Sequence, residues 1–137
     1  MKTLKLLSIL FISVIVVSCN DDDDRDTSVD PIIGAWRTDD NEDNSYINIV
    51  FNSNGNFSSF MQTLPTDPTQ PIRVHDGLNG TWSNSGTDFK STTQTYTYTR
   101  FYGEGESETG TFSAQFSEDF NSVTLTDEYD EIIYIRQ

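Results

Sequence analysis

Few side chains in this sequence could carry out chemistry, and the single histidine is the first to consider. His75 is followed by Asp76, and such a pair can orient an imidazole for general base catalysis. No strained nucleophile motif of the G-x-S-x-G type accompanies the pair. We therefore interpret His75 as a histidine in a surface loop, and we predict that the protein is not an enzyme.

Acidic clusters could instead hold a cation. Residues 39–44 read Asp-Asp-Asn-Glu-Asp-Asn, which places oxygen atoms at alternating positions as a Ca²⁺ loop does. The EF-hand pattern fails because Asn44 stands at the glycine position and Val50 at that of the bidentate glutamate. The glutamates of residues 104–108 show no sign of the burial that a pair of glycosidase carboxylates needs. We expect solvated turns at both places, with no metal and no cofactor.

Composition limits the remaining classes of function. The chain has 137 residues, with 22 acidic and 8 basic side chains and a net charge of -14. This length suits one domain, and the charge argues against nucleic acid as a partner. One cysteine cannot form an internal disulfide.

The N-terminus has the order of an export signal. Lys2 and Lys5 precede the apolar run Leu6 to Val17, which as a helix is roughly 18 Å long and well short of a bilayer core of about 30 Å. The order Val-Val-Ser-Cys at residues 16–19 resembles the bacterial lipobox. That resemblance implies a signal peptide over residues 1–18 and a Cys19 that is acylated on its sulfur and its new amine. An uncleaved anchor or an ordinary signal peptide is the alternative.

A tether rich in aspartate follows, so that residues 19–30 form the lipidated cysteine and a flexible, solvated segment. Fully extended, it reaches about 35 to 40 Å. The acidic run resembles the surface-export signal of Bacteroidota lipoproteins, which implies lipid anchoring in the outer membrane and exposure at the cell surface. A plain solubilising spacer is the alternative.

The remaining residues, 31–137, alternate in the manner of strands. Ile47, Ile49 and Phe51 share one face of a segment that ends at the turn Asn54-Gly55. Similar segments occur along the chain, and a short one around Phe89 is counted among them. We predict an all-β fold, an antiparallel up-and-down barrel of about eight strands.

One connection is long for a hairpin. Residues 63–76 contain three prolines, which is typical of a functional lid or of a mobile connector without a role. Both interpretations stay open.

A glycine precedes an aromatic residue by two positions at Gly34-Ala35-Trp36, Gly80-Thr81-Trp82 and Gly110-Thr111-Phe112, and each can be read as the start of a strand. The first, directly after residues 31–33 and followed by a β-rich chain that ends near Arg136, resembles the lipocalin-like (calycin) proteins. The resemblance implies that Gly34 and Trp36 form the motif that closes one end of the barrel. It further implies that Arg136 packs across the Trp36 ring, with Arg100 as the second choice.

Two functions then remain. In the first, the protein is a membrane-anchored, lipocalin-like lipoprotein that binds a small apolar or amphipathic ligand. Its pocket walls are aromatic: Tyr96, Tyr98, Tyr134, Trp82 and Phe112. In the second, these side chains fill the barrel, and its acidic surface contacts a protein partner at the cell envelope.

Overall fold

Eight antiparallel strands build the protein in the computed structural model, which describes residues 26–38 and 44–137. The strands are β1 (Gly34–Thr38), β2 (Ser45–Phe51), β3 (Asn56–Thr63), β4 (Arg73–Asn84), β5 (Thr93–Gly103), β6 (Glu106–Phe116), β7 (Ser122–Thr126) and β8 (Glu131–Arg136). The predictions for residues 1–25 and 39–43 lie outside the described residues.

The sheet closes on itself. Each strand pairs with its neighbours in the sequence, and β1 also pairs with β8, where Trp36 stands opposite Arg136. Closure leaves no unpaired edge that could add a foreign strand. The predicted all-β, up-and-down barrel of eight strands is confirmed.

The order of the strands gives the barrel two distinct ends. At one end lie residues 30–33 and the connections 52–55, 85–92 and 117–121; we call this the closed end. At the other end lie the connections 64–72, 104–105 and 127–130, and we call this the open end.

Aromatic side chains fill the closed half of the interior. Tyr96 and Phe112 stack with ring centroids 5.0 Å apart, and Phe51 meets Trp82 edge to face at 5.8 Å. The largest fully buried side chains are Trp36, Tyr96, Ile32 and Val123. Such stacked and edge-on contacts add to the free energy of apolar burial.

Several local predictions were wrong. Phe89 lies in a turn, because the Asp88 carboxylate and carbonyl accept hydrogen bonds from the backbone N–H groups of Lys90 and Ser91. His75 is exposed on strand β4 and not in a loop, so the proline-rich connection runs only from residue 64 to 72. Strand β4 continues there because Arg73 and its neighbours pair with β3 beyond an irregularity in the register.

Two of the three glycines do not begin strands. Gly80 lies inside β4 and Gly110 inside β6. A Cβ at position 80 would lie 2.5 Å from the Phe57 ring, and one at position 110 would lie 2.6 Å from the Tyr98 hydroxyl. These glycines leave room for aromatic rings inside the barrel, which is a packing requirement and not a turn requirement.

Candidate functional site

The closed end is organised around Trp36, the aromatic residue of the predicted closing motif. Its side chain is 1 % exposed, and its indole N–H donates to the Ile32 carbonyl at 2.8 Å. The Phe116 ring packs against it with centroids 6.0 Å apart. Gly34, at the start of β1, has φ +134°, a backbone conformation that favours glycine.

Arg136 lies across the face of the Trp36 ring, with its guanidinium carbon 4.2 Å from the ring centroid. The same guanidinium donates to the carbonyls of Phe120 at 3.0 Å, Ile33 at 3.1 Å and Pro31 at 2.7 Å. Arg136 therefore ties the segment before β1 and the turn before β7 to the closing tryptophan.

Sequence reasoning missed one residue of the closed end. Asp30, assigned to the tether, is only 6 % exposed. Its carboxylate accepts hydrogen bonds from the Tyr96 hydroxyl at 2.6 Å, the Asn84 amide at 2.8 Å and the Ile32 backbone N–H at 3.0 Å. Three donors compensate the burial of this charge, and they fix the N-terminal segment against β4 and β5.

A cavity of about 240 Å³ occupies the open half of the barrel. Its walls are mainly apolar, and polar groups gather where the strands end. The apolar lining residues are Ile47, Ile49, Phe51, Phe57, Leu78, Phe112, Leu125 and Ile132, and the polar ones are Ser59, Tyr98, Arg100, Asp127, Asp130 and Tyr134. At about 30 Å³ per molecule of liquid water, this volume equals roughly eight waters.

Three of the five predicted ligand-binding residues line the cavity, and two do not. Tyr98, Phe112 and Tyr134 line the cavity. Tyr96 is completely buried at the closed end, where its hydroxyl bonds to Asp30. The Trp82 indole N–H points to backbone carbonyls near the β2–β3 turn, at 3.2 Å from those of Asn52 and Asn56.

Charged side chains mark the mouth of the cavity. The Arg100 guanidinium lies 4.6 Å from the centroid of the Tyr98 ring and 3.9 Å from the Asp127 carboxylate. Arg100, the second choice for packing on Trp36, thus serves the opposite end of the barrel. Backbone N–H groups of Asp130 and Tyr129 donate to Asp127 and, with Arg100, hold the pKa of that carboxyl below its ordinary value.

A buried phenol faces this mouth. Tyr134 is 6 % exposed, and burial raises the pKa of its hydroxyl. The charge of Arg100 lowers the pKa of that hydroxyl and the charge of Asp127 raises it, and all three residues line the same cavity. No side-chain hydrogen bond to the Tyr134 hydroxyl occurs among residues 26–38 and 44–137, and no fully buried polar side-chain atom there lacks a partner, so this hydroxyl is accessible from the cavity that Tyr134 lines. An accessible hydroxyl at a cavity wall can bond to water or to a ligand.

The remaining chemical candidates are dispersed. Within the described parts of the chain, no three His, Cys, Asp or Glu side chains come close enough to hold a metal ion. Glu104, Glu106 and Glu108 are exposed around the β5–β6 turn, where Glu108 accepts a hydrogen bond from Tyr102. Nothing in these positions brings carboxylates together across a cleft.

A wider groove of about 570 Å³ lies outside the closed end, between the segment of Val29 and the turn of Phe120. Of its two cations, Lys90 and Arg136, the arginine is already bonded to three carbonyls. The cavity of the open half, which is less open to solvent than the groove, is therefore the better candidate for a binding site.

Comparison with known proteins adds no relative: no family model, no curated protein and no solved structure matches this chain. In the described residues there is no helix of the length and apolar character needed to cross a membrane. The barrel geometry itself is compatible with a lipocalin-like fold.

Proposed function

We propose that this protein binds a small apolar or amphipathic molecule in the cavity of its open half. The single observation that supports the proposal best is the cavity itself, about 240 Å³ of space lined mainly by apolar side chains, with Arg100 and Asp127 among its polar lining residues. Small-molecule sites have this character, an apolar body with a few polar groups at one place.

The volume limits the size of the ligand. Ligand pockets for larger molecules span about 300 to 1,000 Å³, whereas an apolar cavity of about 150 Å³ can hold benzene. A cavity of about 240 Å³ thus suits a body of the size of one aromatic ring with a short polar chain. The alternative of a filled barrel expects no such space, and the cavity weighs against it.

We further propose that the barrel is anchored to the outer membrane by acyl chains on Cys19, as the lipobox resemblance implies. More than one acyl chain is needed for stable anchoring, and a lipidated N-terminal cysteine provides this. Because Asp30 fixes the chain at the closed end, the tether would leave the barrel opposite the mouth of the cavity. The mouth can then open toward the aqueous phase.

Native mass spectrometry of the protein, purified without detergent from the cells that make it, tests the binding proposal. We expect an additional small mass that disappears on denaturation. A bare mass, together with no uptake of neutral phenethyl alcohol added in excess, would contradict the proposal. Leu78→Phe, which adds volume to the wall, should prevent uptake of the alcohol while the protein stays folded.

A further inference from the structure

The mouth of the cavity is unequally charged. Arg100, Asp127 and Asp130 line it, and Glu108 stands opposite Arg100 in the β5–β6 register on the same face. Paired residues of neighbouring strands share a face, so this end of the barrel carries these three carboxylates with one guanidinium, and Asp127 is the carboxylate paired with Arg100. Arg100 is the only cation among these four residues, and its guanidinium lies 3.9 Å from the Asp127 carboxylate.

This arrangement of charges disfavours the binding of an anionic ligand. Its head would have to displace Asp127 from Arg100 and would then lie beside the remaining carboxylates. The chain as a whole has a net charge of -14, and such a field repels anions and draws cations toward an acidic opening.

A cationic head finds three kinds of partner there. The carboxylates of Asp127 and Asp130 supply negative charge, and the Tyr134 phenol oxygen can accept an N–H from an ammonium group. The Tyr134 ring, which also lines the cavity, adds a π system that can attract a partly desolvated cation. The Tyr134 hydroxyl, which is accessible from the cavity although the residue is only 6 % exposed, and the charge of the mouth are independent observations, and both favour the same ligand.

Resting on the proposed function, we infer that the ligand is a small amphipathic cation, an ammonium group on an apolar body about as large as one aromatic ring. The apolar body packs against Ile47, Leu78 and Leu125 inside the cavity. The ammonium group lies at the mouth, near Asp127, Asp130 and Tyr134. Arg100 stays stacked on Tyr98 and orients Asp127.

Three probes of nearly equal shape separate this inference from the proposed function: phenethylammonium, phenethyl alcohol and phenylacetate. The whole chain, in the form in which expressing cells process it, is titrated with each probe by calorimetry. We expect phenethylammonium to bind at least about tenfold more tightly than phenylacetate, with the alcohol between them. High salt should reduce this preference, because it screens exposed charges.

Two variants that each remove one carboxylate serve as a matched pair. Asp130→Asn acts at the mouth, and Glu118→Gln acts at the exposed closed end. Asp130→Asn should weaken phenethylammonium binding by about two- to fivefold, as for a partly exposed charge pair, and should leave the alcohol unchanged. Glu118→Gln should change neither affinity.

The outcomes are distinct. If the alcohol binds but phenylacetate binds as tightly as phenethylammonium, the cationic inference is overturned and the proposed function stands. Equal effects of the two variants would also overturn the inference. If none of the three probes binds, both proposals fail.

Discussion

The Tyr96 hydroxyl donates a 2.6 Å hydrogen bond to the Asp30 carboxylate, across 66 residues of sequence. This bond joins the turn that precedes β1 to a strand in the middle of the chain. With the Asn84 amide on the other carboxylate oxygen, it makes Asp30 a structural residue of the closed end.

Replacing Tyr96 by phenylalanine should therefore destabilise the barrel. A hydrogen bond to a charged group contributes about 1.5 to 3 kcal/mol, and its loss leaves the buried Asp30 with two donors. Asp30→Asn should cost more, because its amide N–H₂ would face one of the present donors. Urea denaturation measures both. Tyr98→Phe is the control, since Tyr98 is similarly buried but borders the cavity and not the Asp30 carboxylate; an equal loss there would contradict this account.

Trp36→Ala should lower the free energy of unfolding by about 3 to 5 kcal/mol, as large truncations in a core do. The substitution removes the ring that Arg136 covers and that Phe116 packs against. Thermal or urea melting gives the value, and Trp36→Phe, which keeps part of the ring contact, should fall between alanine and the natural residue. A melting curve unchanged by Trp36→Ala would refute the closing role of Trp36.

Lowering the pH should reduce the stability of the folded protein, because it protonates Asp127 at the mouth of the cavity. Its pKa is below the ordinary 3.8 because Asp130 and Tyr129 backbone N–H groups and Arg100 favour the carboxylate. The stabilisation is thus present above pH 3.8 and is lost as the pH falls through the lower folded-state pKa.

Urea denaturation from roughly pH 6 to pH 3 measures this dependence, and Asp127→Asn should make it shallower. Glu118→Gln, at an exposed position of the other end, is the control. The same slope in Asp127→Asn and the natural protein would show that the carboxylate contributes nothing.

If Cys19 is acylated, Cys19→Ala should move the protein from the membrane fraction to the soluble secreted fraction. Cell fractionation with immunodetection measures the distribution. Ser28→Ala, an exposed change in the tether, is the control and should leave the protein with the membrane. Membrane retention of the alanine variant at position 19 would rule out the lipobox interpretation.

The closed barrel was predictable because the alternation of residues such as Thr95, Tyr96, Thr97 and Tyr98 repeats with the period of a strand. The role of Asp30 was not predictable. It directly follows a mainly acidic and polar stretch, residues 20–28, which predicts a solvated tether, while its donors Asn84 and Tyr96 come from distant strands. Local pattern contains no information about such long-range pairs.

For a related reason, the sequence could not predict which aromatic residues line the cavity. Tyr96 and Tyr98 have the same alternation, yet one is bonded at the closed end and the other borders the cavity. What separates them is the stacking of Tyr96 on Phe112 and the room that Gly110 leaves for the Tyr98 ring. These depend on the register between strands, which fixes the interior only after the barrel closes.

Methyl NMR of the whole protein, titrated with phenethyl alcohol, tests the central claim most directly. If the open half binds small amphipathic molecules, the methyl signals of Ile47, Leu78, Leu125 and Ile132 should shift together and saturate, while Ile32 and Val29 at the closed end stay in place. Shifts confined to Val29 and Ile33 in the outer groove, or no saturable shift at all, would contradict the claim.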